Sequence, residues 1–299
     1  VSNSKAETVA QCVSRVSEQL EAADLFYGHG TDNPWDEAVY LVFTVLGISF
    51  DAEESQMSRE LSTAERTSLD ELLSRRIEQR VPVAYLVQEA WFAGLPFKVD
   101  ERVLIPRSPL AELIVQHFEP LLPAPPTRIL DLCTGSGCIG IASAIAFEKA
   151  QVDLADISPQ ALSLARENVS RHGLEARVNV IESDLFDGLE GRYSLILCNP
   201  PYVSQSEIDD LPPEYAHEPV LGLYSDEEGL AIPLQILRQA VNYLNEDGIL
   251  IMEVGYSHEA LIARLPSMPF LWLGFDNGGE GIFVLTAQQL RDAELMLAL

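Results

Sequence analysis

Arg128-Ile-Leu-Asp-Leu-Cys-Thr-Gly135-Ser-Gly137-Cys-Ile-Gly140 is the stretch that decides the fold. An apolar run suited to a buried strand enters a glycine-rich turn, and an apolar segment of helical character follows to about Ala150. Glycines between a strand and a helix let backbone come close to a ligand at the helix N-terminus. The same alternation then repeats. Residues 152–155 read as a strand, 159–172 as a helix capped by Ser158 and closed by Gly173, and 178–181 as the next strand. Residues 193–198, a long loop, a helix from about Gly229 to Leu244, and a strand over 248–254 after the Asn245-Glu-Asp-Gly248 turn continue it. The order predicts an α/β domain with a doubly wound sheet. Residues 271–275 and 282–285 flank Asn277-Gly-Gly-Glu-Gly281, a hairpin signal that predicts an antiparallel last strand.

Upstream the pattern changes. At 299 residues the chain exceeds a typical single domain, and its first eighty or so residues look helical throughout. Val9, Val13, Val16 and Leu20 recur at helical spacing, Asp32 or Asn33 caps a helix starting at Pro34, and Ser62 with Glu65 forms a capping box for a helix that runs to Arg80. Pro82 ends it. Residues 91–99 and 103–105 then read as paired short strands. The expected division is a helical domain over 1–83, a β-hairpin connector over 84–106 and the α/β domain over 107–299.

Composition narrows the function classes. The formal charge is −27, with only Lys5, Lys98 and Lys149 as lysines, a balance that repels nucleic acid and favours a basic partner. No apolar run of the first half is long enough to span a bilayer, and Val1-Ser-Asn-Ser-Lys-Ala-Glu lacks the layout of a signal peptide, so the expectation is a cytoplasmic protein with no membrane role. Cys12, Cys133, Cys138 and Cys198 lack paired ligand spacing and read as reduced thiols, with no metal site.

Asn199-Pro-Pro-Tyr202 follows the apolar run Ser194-Leu-Ile-Leu-Cys198, so it leaves a buried parallel strand at the edge where α/β sheets bind ligands. Two prolines delete two N–H donors, and the loop presents acceptors: the Asn199 side-chain oxygen and the Pro200 carbonyl. Such a surface suits an amino group, with Pro201 shaping the turn and the Tyr202 ring stacking on a planar substrate.

Gly135, Gly137 and Gly140 satisfy the dinucleotide pattern, and Asp156, nineteen residues after Gly137, could hold ribose hydroxyls. That pattern alone leaves a dinucleotide and S-adenosylmethionine open. Asp131 tips it, because a carboxylate there favours a sulfonium and opposes a pyrophosphate, and Asp184 supplies an acceptor for an adenine amino group.

Ile105-Pro-Arg107, Asp131-Leu-Cys-Thr-Gly-Ser-Gly137, Asp156-Ile-Ser-Pro159 and Asn199-Pro-Pro-Tyr202, beside a helical N-terminal part, resemble the HemK-like protein-glutamine methyltransferases over nearly the whole chain. The resemblance implies a class I S-adenosylmethionine-dependent methyltransferase fold. It implies that Asn199, Pro200, Pro201 and Tyr202 hold a glutamine side chain, and that Cys133, Thr134, Gly135, Ser136, Gly137, Asp156 and Leu185 meet the cofactor, with Asn199 at both. The helical part would help hold a protein substrate. Arg107-Ser-Pro-Leu-Ala-Glu112, Cys133 in place of a glycine, and Glu214-Tyr-Ala-His-Glu-Pro219 resemble the ribosomal-protein branch, whose substrate is large-subunit protein number three. Release factors are the alternative substrate. A DNA adenine amino-methyltransferase would share the Pro-Pro-aromatic loop but should carry a basic groove. A binding module retaining the nucleotide geometry is the non-enzymatic rival. His217 and His258 read as loop or helix-start residues, and Glu112 and Glu253 as salt-bridge or capping acids that could shape the site.

Overall fold

In a computed structural model the described residues are 7–276 and 278–297. Asn277, the first residue of the expected hairpin turn, and residues 1–6, on which the leader reading rests, lie outside them. The chain divides into two compact units. One runs to Ala90 and takes in Pro212–His217, and the other comprises Trp91–Leu211 and Glu218–Leu299.

The first unit is helical. Helix α1 (Val9–Glu21) opens on a Thr8–Gln11 capping box and buries Val9, Cys12, Val13, Val16 and Leu20. Asn33 caps α2 (Pro34–Leu46), accepting from the Asp36 N–H. The Ser62–Glu65 box starts α3 (Thr63–Gln79), and Arg80 closes it in the left-handed region at φ 60°. Arg76 of α3 is fully buried, which apolar periodicity does not reveal. Its guanidinium donates to Glu37 at 2.6 Å, to Glu214 at 3.1 Å and to the Phe26 carbonyl at 2.8 Å. A buried arginine is tolerable only with such partners. A short helix α4 (Val83–Val87) follows, all but its first residue within the span assigned to a β connector.

Strands β1 (Glu89–Phe92) and β2 (Leu95–Lys98) form a two-stranded sheet. This corrects the expected pairing of residues 91–99 with 103–105. Ala93 and Gly94 both take positive φ, 49° and 75°, the twist of a two-residue hairpin turn, so the chain pairs with itself before reaching Val103. The Ile105 N–H instead donates to the Glu218 carboxylate at 3.0 Å.

The larger sheet arises as the alternation requires. Helix α5 (Leu110–Val115) precedes β3 (Arg128–Leu132), α6 (Cys138–Ala146), β4 (Gln151–Asp156), α7 (Pro159–Arg171), β5 (Val178–Glu182) and β6 (Tyr193–Cys198). After α8 (Gln205–Asp210) and the short turn α9 (Asp226–Gly229) come α10 (Ala231–Tyr243), β7 (Leu244–Glu253), α11 (His258–Arg264), β8 (Leu271–Trp272) and β9 (Ile282–Thr286). The order is β5-β4-β3-β6-β7-β9-β8, with β9 antiparallel to β7 as the hairpin signal predicts. Two details differ from expectation. Helix α6 stops at Ala146, because Phe147 leaves helical backbone at φ −118°, ψ 81°. Asn245–Gly248 is not a turn before β7 but a loop-out within it: Tyr193 pairs with Leu244 and Leu195 with Ile249. Successive residues of the central strands enter different apolar clusters, Leu130, Ile196 and Leu250 in one and Ile129, Leu195 and Ile249 in the other, so both faces of the sheet are covered. No helix of the described residues is long and apolar enough to cross a membrane.

Candidate active site

Strand order reverses between β3 and β6, which lie side by side with Leu132 opposite Cys198. Loops leaving such a pair of strands diverge and open a crevice. The glycine loop leaves β3 and the Asn199–Tyr202 loop leaves β6, so the two segments singled out in the sequence rise from neighbouring strands.

Local bonds shape the glycine loop. Cys133 turns the chain at φ 59°, the Thr134 N–H donates to the Ala155 carbonyl at 3.0 Å, and the Gly135 N–H donates to Asp156 Oδ2 at 2.9 Å. Asp156 Oδ1 accepts from the Ser158 N–H at 2.9 Å, so this acid both supports the loop and caps the approach to α7. Each of its oxygens retains a lone pair for a further donor. Around Gly135 a Cβ would meet nothing within 4 Å, which leaves room for a ligand beside the loop. Ser136 and Thr134 are buried, and the Ser136 carbonyl accepts from Asn168 Nδ2 at 2.9 Å.

Asp131 is fully buried beneath the loop. Its Oδ2 accepts from Thr134 Oγ1 and from the Gly140 N–H at 2.8 Å, while Oδ1 has no hydrogen-bond partner among the described residues. Burial pushes this carboxyl up to about 7, against the pull of those two donors. A cation nearby would favour its charged form. Asp184 stands exposed just past β5, and Leu185 turns the backbone at φ 48° while its side chain packs into the core.

The second loop is made of acceptors. Among the described residues nothing donates to the Asn199 side-chain oxygen or to the Pro200 carbonyl. Pro200 is buried; Asn199, Pro201 and Tyr202 are half-buried. Tyr202 is held from several sides. Its carbonyl accepts from Ser257 Oγ at 2.7 Å, and its hydroxyl donates to Glu253 Oε1 at 3.0 Å. Two glycines permit this packing: a Cβ on Gly229 would lie 2.1 Å from the Tyr202 carbonyl oxygen, and one on Gly255 would lie 2.6 Å from its ring. Val203 continues the loop by donating to the Leu223 carbonyl at 2.8 Å and accepting from the Ser225 N–H at 3.0 Å.

Sequence reasoning underrated the acids here. Glu218 is fully buried and takes both Arg107 Nη atoms, at 2.6 and 2.7 Å, joining the Ile-Pro-Arg segment to Glu218-Pro219. Glu253 is buried between Tyr202 and Ser108, and burial raises its carboxyl above the usual glutamate range. An acid closing an apolar strand at the ligand edge of the sheet is the signal that could have flagged it. Glu112 accepts from the Asp276 N–H at 3.2 Å, and His258 starts α11 with its Nδ1 3.0 Å from the Gly255 carbonyl oxygen. His217 lies in the helical unit, 2.8 Å from the Gln79 carbonyl oxygen. Among the described residues no group of His, Cys, Asp and Glu is arranged to hold a metal ion.

Comparison with known proteins gives the site a lineage. Residues 110–212 match the Methyltransferase small domain, and residues 12–87 match the PrmC N-terminal domain. The ribosomal protein uL3 glutamine methyltransferase of Francisella tularensis is 43% identical over 275 residues, 91% of this chain and 88% of that protein. The protein of the same name from Xanthomonas campestris is 47% identical over 285 residues, 95% of this chain and 92% of its own length. A crystal structure of a methyltransferase from Pyrococcus furiosus superposes with a TM-score of 0.48 at 16% identity, covering 65% of this chain and 89% of that one. Identity at this level across nine-tenths of the chain, together with a glycine loop and an acceptor loop on adjoining strands, shows that the chain is a methyltransferase and belongs to the family of ribosomal protein uL3 glutamine methyltransferases.

Proposed function

We propose that the enzyme methylates the side-chain amide nitrogen of a glutamine in a large-subunit ribosomal protein of the uL3 type, the substrate for which its two curated relatives are named. The observation that carries this reading is the pair of unengaged acceptors, the Asn199 side-chain oxygen and the Pro200 carbonyl, beside the fixed Tyr202 ring. A primary amide has two N–H donors and a planar face, and that loop offers a partner for each.

S-adenosylmethionine, the methyl donor of this enzyme class, supplies an electrophilic methyl group when bound. The residues present fit such a molecule: the backbone of Cys133–Gly137, with open space at Gly135, would hold it, Asp156 would accept from ribose hydroxyls, Asp184 and Leu185 would meet the base, and the unpartnered oxygen of Asp131 would favour its positive charge. An amide nitrogen is a weak nucleophile because its lone pair is delocalised, so the protein's task is orientation. As the nitrogen gains a bond to carbon its hydrogens become more acidic, and hydrogen bonds to Asn199 and Pro200 strengthen in the transition state. Water takes the proton once the nitrogen is alkylated.

The partner follows from charge. At −27 the chain attracts a basic protein and repels nucleic acid, which favours a basic ribosomal protein, free or assembling, in the cytoplasm over RNA or DNA. Val220 and Leu221, exposed on the segment bonded to Val203, offer apolar contact to a polypeptide. Residues 1–83 serve recognition in this reading, 84–106 connect, and 107–299 carry the chemistry. The test is competition between unmethylated ribosomal proteins and release factors, with added methyl groups mapped by mass spectrometry. Methyl on one glutamine of the uL3 protein is expected. Preferential methylation of release factor would overturn the substrate, and methyl on any other side chain would overturn the amide chemistry.

A further inference from the structure

Glu253 ends β7, the strand beside the one that delivers Asn199, and touches neither Asn199 nor Pro200 in any hydrogen bond. Its two oxygens are divided between two hydroxyls. Tyr202 Oη donates to Oε1 at 3.0 Å and Ser108 Oγ donates to Oε2, while Ser108 itself accepts from the N–H of Leu110, the first residue of α5, at 3.2 Å. The chain of bonds therefore runs from the start of α5 through Ser108 and Glu253 to the aromatic ring of the acceptor loop.

We propose that Glu253 is a positioning residue for methyl transfer, fixing the Tyr202 ring so that a glutamine amide meets it in one pose, with Ser108 holding Glu253 in turn. The inference rests on the reading of Asn199–Tyr202 as the amide-holding loop. A tyrosine ring is easily placed by packing but is fixed in rotation and tilt only when its hydroxyl is anchored too. Here Gly255 lets backbone approach the ring, and Glu253 anchors the hydroxyl from the far end. Each carboxyl oxygen is engaged by a separate hydroxyl, so Glu253 cannot turn without breaking a bond at one end or the other. Alkylation of a weak nucleophile demands this stiffness, since a misplacement of about 1 Å can cost roughly 10²-fold in rate. A wholly structural glutamate would need neither a partner in the acceptor loop nor a hydroxyl aligned on its second oxygen.

The experiment measures kcat and KM for methylation of purified, unmethylated uL3 ribosomal protein, with S-adenosylmethionine affinity measured by calorimetry. Glu253→Leu and Tyr202→Phe should each lower kcat about tenfold, the effect of one lost buried hydrogen bond, with cofactor affinity within about twofold of wild type. The double variant should be no slower than the slower single one, because both remove the same bond. Glu253→Gln should restore kcat to within about threefold, since its amide oxygen still accepts from Tyr202. Should Glu253→Leu fail to fold, Ser108→Ala carries the test: it should slow the native enzyme about threefold and have no further effect in the Tyr202→Phe background. Additive losses in the double variants, or a Gln variant as slow as the Leu variant, would overturn the role of Glu253. A wild-type enzyme that leaves every glutamine unmethylated would overturn the functional reading instead.

Discussion

The glycine loop and the Asn-Pro-Pro-Tyr loop leave neighbouring strands at the same edge of one sheet, yet they are built in opposite ways. The first is rich in backbone donors and is held by bonds within a single strand-helix-strand unit: Asp131 to Gly140, Thr134 to Ala155, Gly135 to Asp156. The second has lost two donors to proline and is held by side chains from far along the chain, Ser257 and Glu253 on Tyr202 and Ser108 behind Glu253. A site that binds through N–H groups can be specified locally, because helix starts and glycines supply donors by themselves. A site that binds through acceptors must borrow its rigidity. The division matches the proposed function, in which one loop provides affinity for a cofactor and the other orients a weak nucleophile.

Breaking the acceptor loop should have the largest effect. Asn199→Ala removes one acceptor and leaves the glycine loop intact, so kcat should fall roughly 10²- to 10³-fold while calorimetry shows that cofactor binding persists. A variant methylating at near wild-type rate would end the claim that this loop orients the amide. Asp156→Ala tests the other side. Loss of a charge-assisted contact of about 1.5–3 kcal/mol should weaken S-adenosylmethionine binding about 10- to 150-fold, with kcat at saturating cofactor little changed. Equal losses in kcat and affinity would mean that the two loops are not separable.

The same contrast explains what was legible in the sequence. The strand–glycine–helix unit, the reversal of sheet order and the antiparallel last strand follow from local period and turn chemistry, and the structure contains them. The candidate site residues could be singled out for the same reason, since Asp131 lies near the end of β3, Gly135 and Gly137 between β3 and α6, and Asn199 directly after β6. What local pattern could not supply is pairing across the chain. Residues 103–105 look like a strand, but Glu218, more than a hundred residues on, takes the Ile105 N–H. Arg76 looks like a solvated helix residue, and only Glu37 and Glu214 make its burial possible. Glu253 reads in the sequence as a salt-bridge or capping acid that could shape the site, and only its two hydroxyl partners, Tyr202 and Ser108, place it beside the acceptor loop.

A subtler effect concerns Asp131. Its carboxyl is raised to about 7 in the folded chain, so between the ordinary aspartate value near 4 and about 7 the folded state binds more protons than the unfolded one. Stability contributed by this group therefore falls as pH rises through that window. Asp131→Asn keeps an oxygen for Thr134 and Gly140 without the ionisation. Denaturant titrations from pH 4 to 8 in the absence of cofactor should show the stability of the wild type, relative to this variant, declining with pH. A difference that is flat, or that rises with pH, would mean that Asp131 is charged throughout and that its buried oxygen has a partner in solution.

The smallest effect is expected at Cys133. Its φ of 59° lies in the left-handed region, where a side chain costs roughly 1–2 kcal/mol and glycine costs nothing in the folded state. Glycine loses more entropy on folding, roughly 0.5–1 kcal/mol, and Cys133→Gly also removes a half-buried thiol that packs against the core around Cys198. These terms oppose one another, and the net change should stay within about 1 kcal/mol, a shift in Tm of about 2–4 °C or less for a unit of this size. Cofactor affinity should not change, because the bonds that shape this loop start from the N–H groups of Thr134, Gly135 and Gly137 and from the Thr134 hydroxyl, whereas the thiol meets Cys198 instead. Calorimetry and thermal melts on the one variant check both statements. A tenfold loss of S-adenosylmethionine binding would show that the glycine loop, like its neighbour, depends on packing against a residue outside its own strand-helix-strand unit, Cys198, and the contrast between a locally held loop and one held from far along the chain would fail at its simplest point.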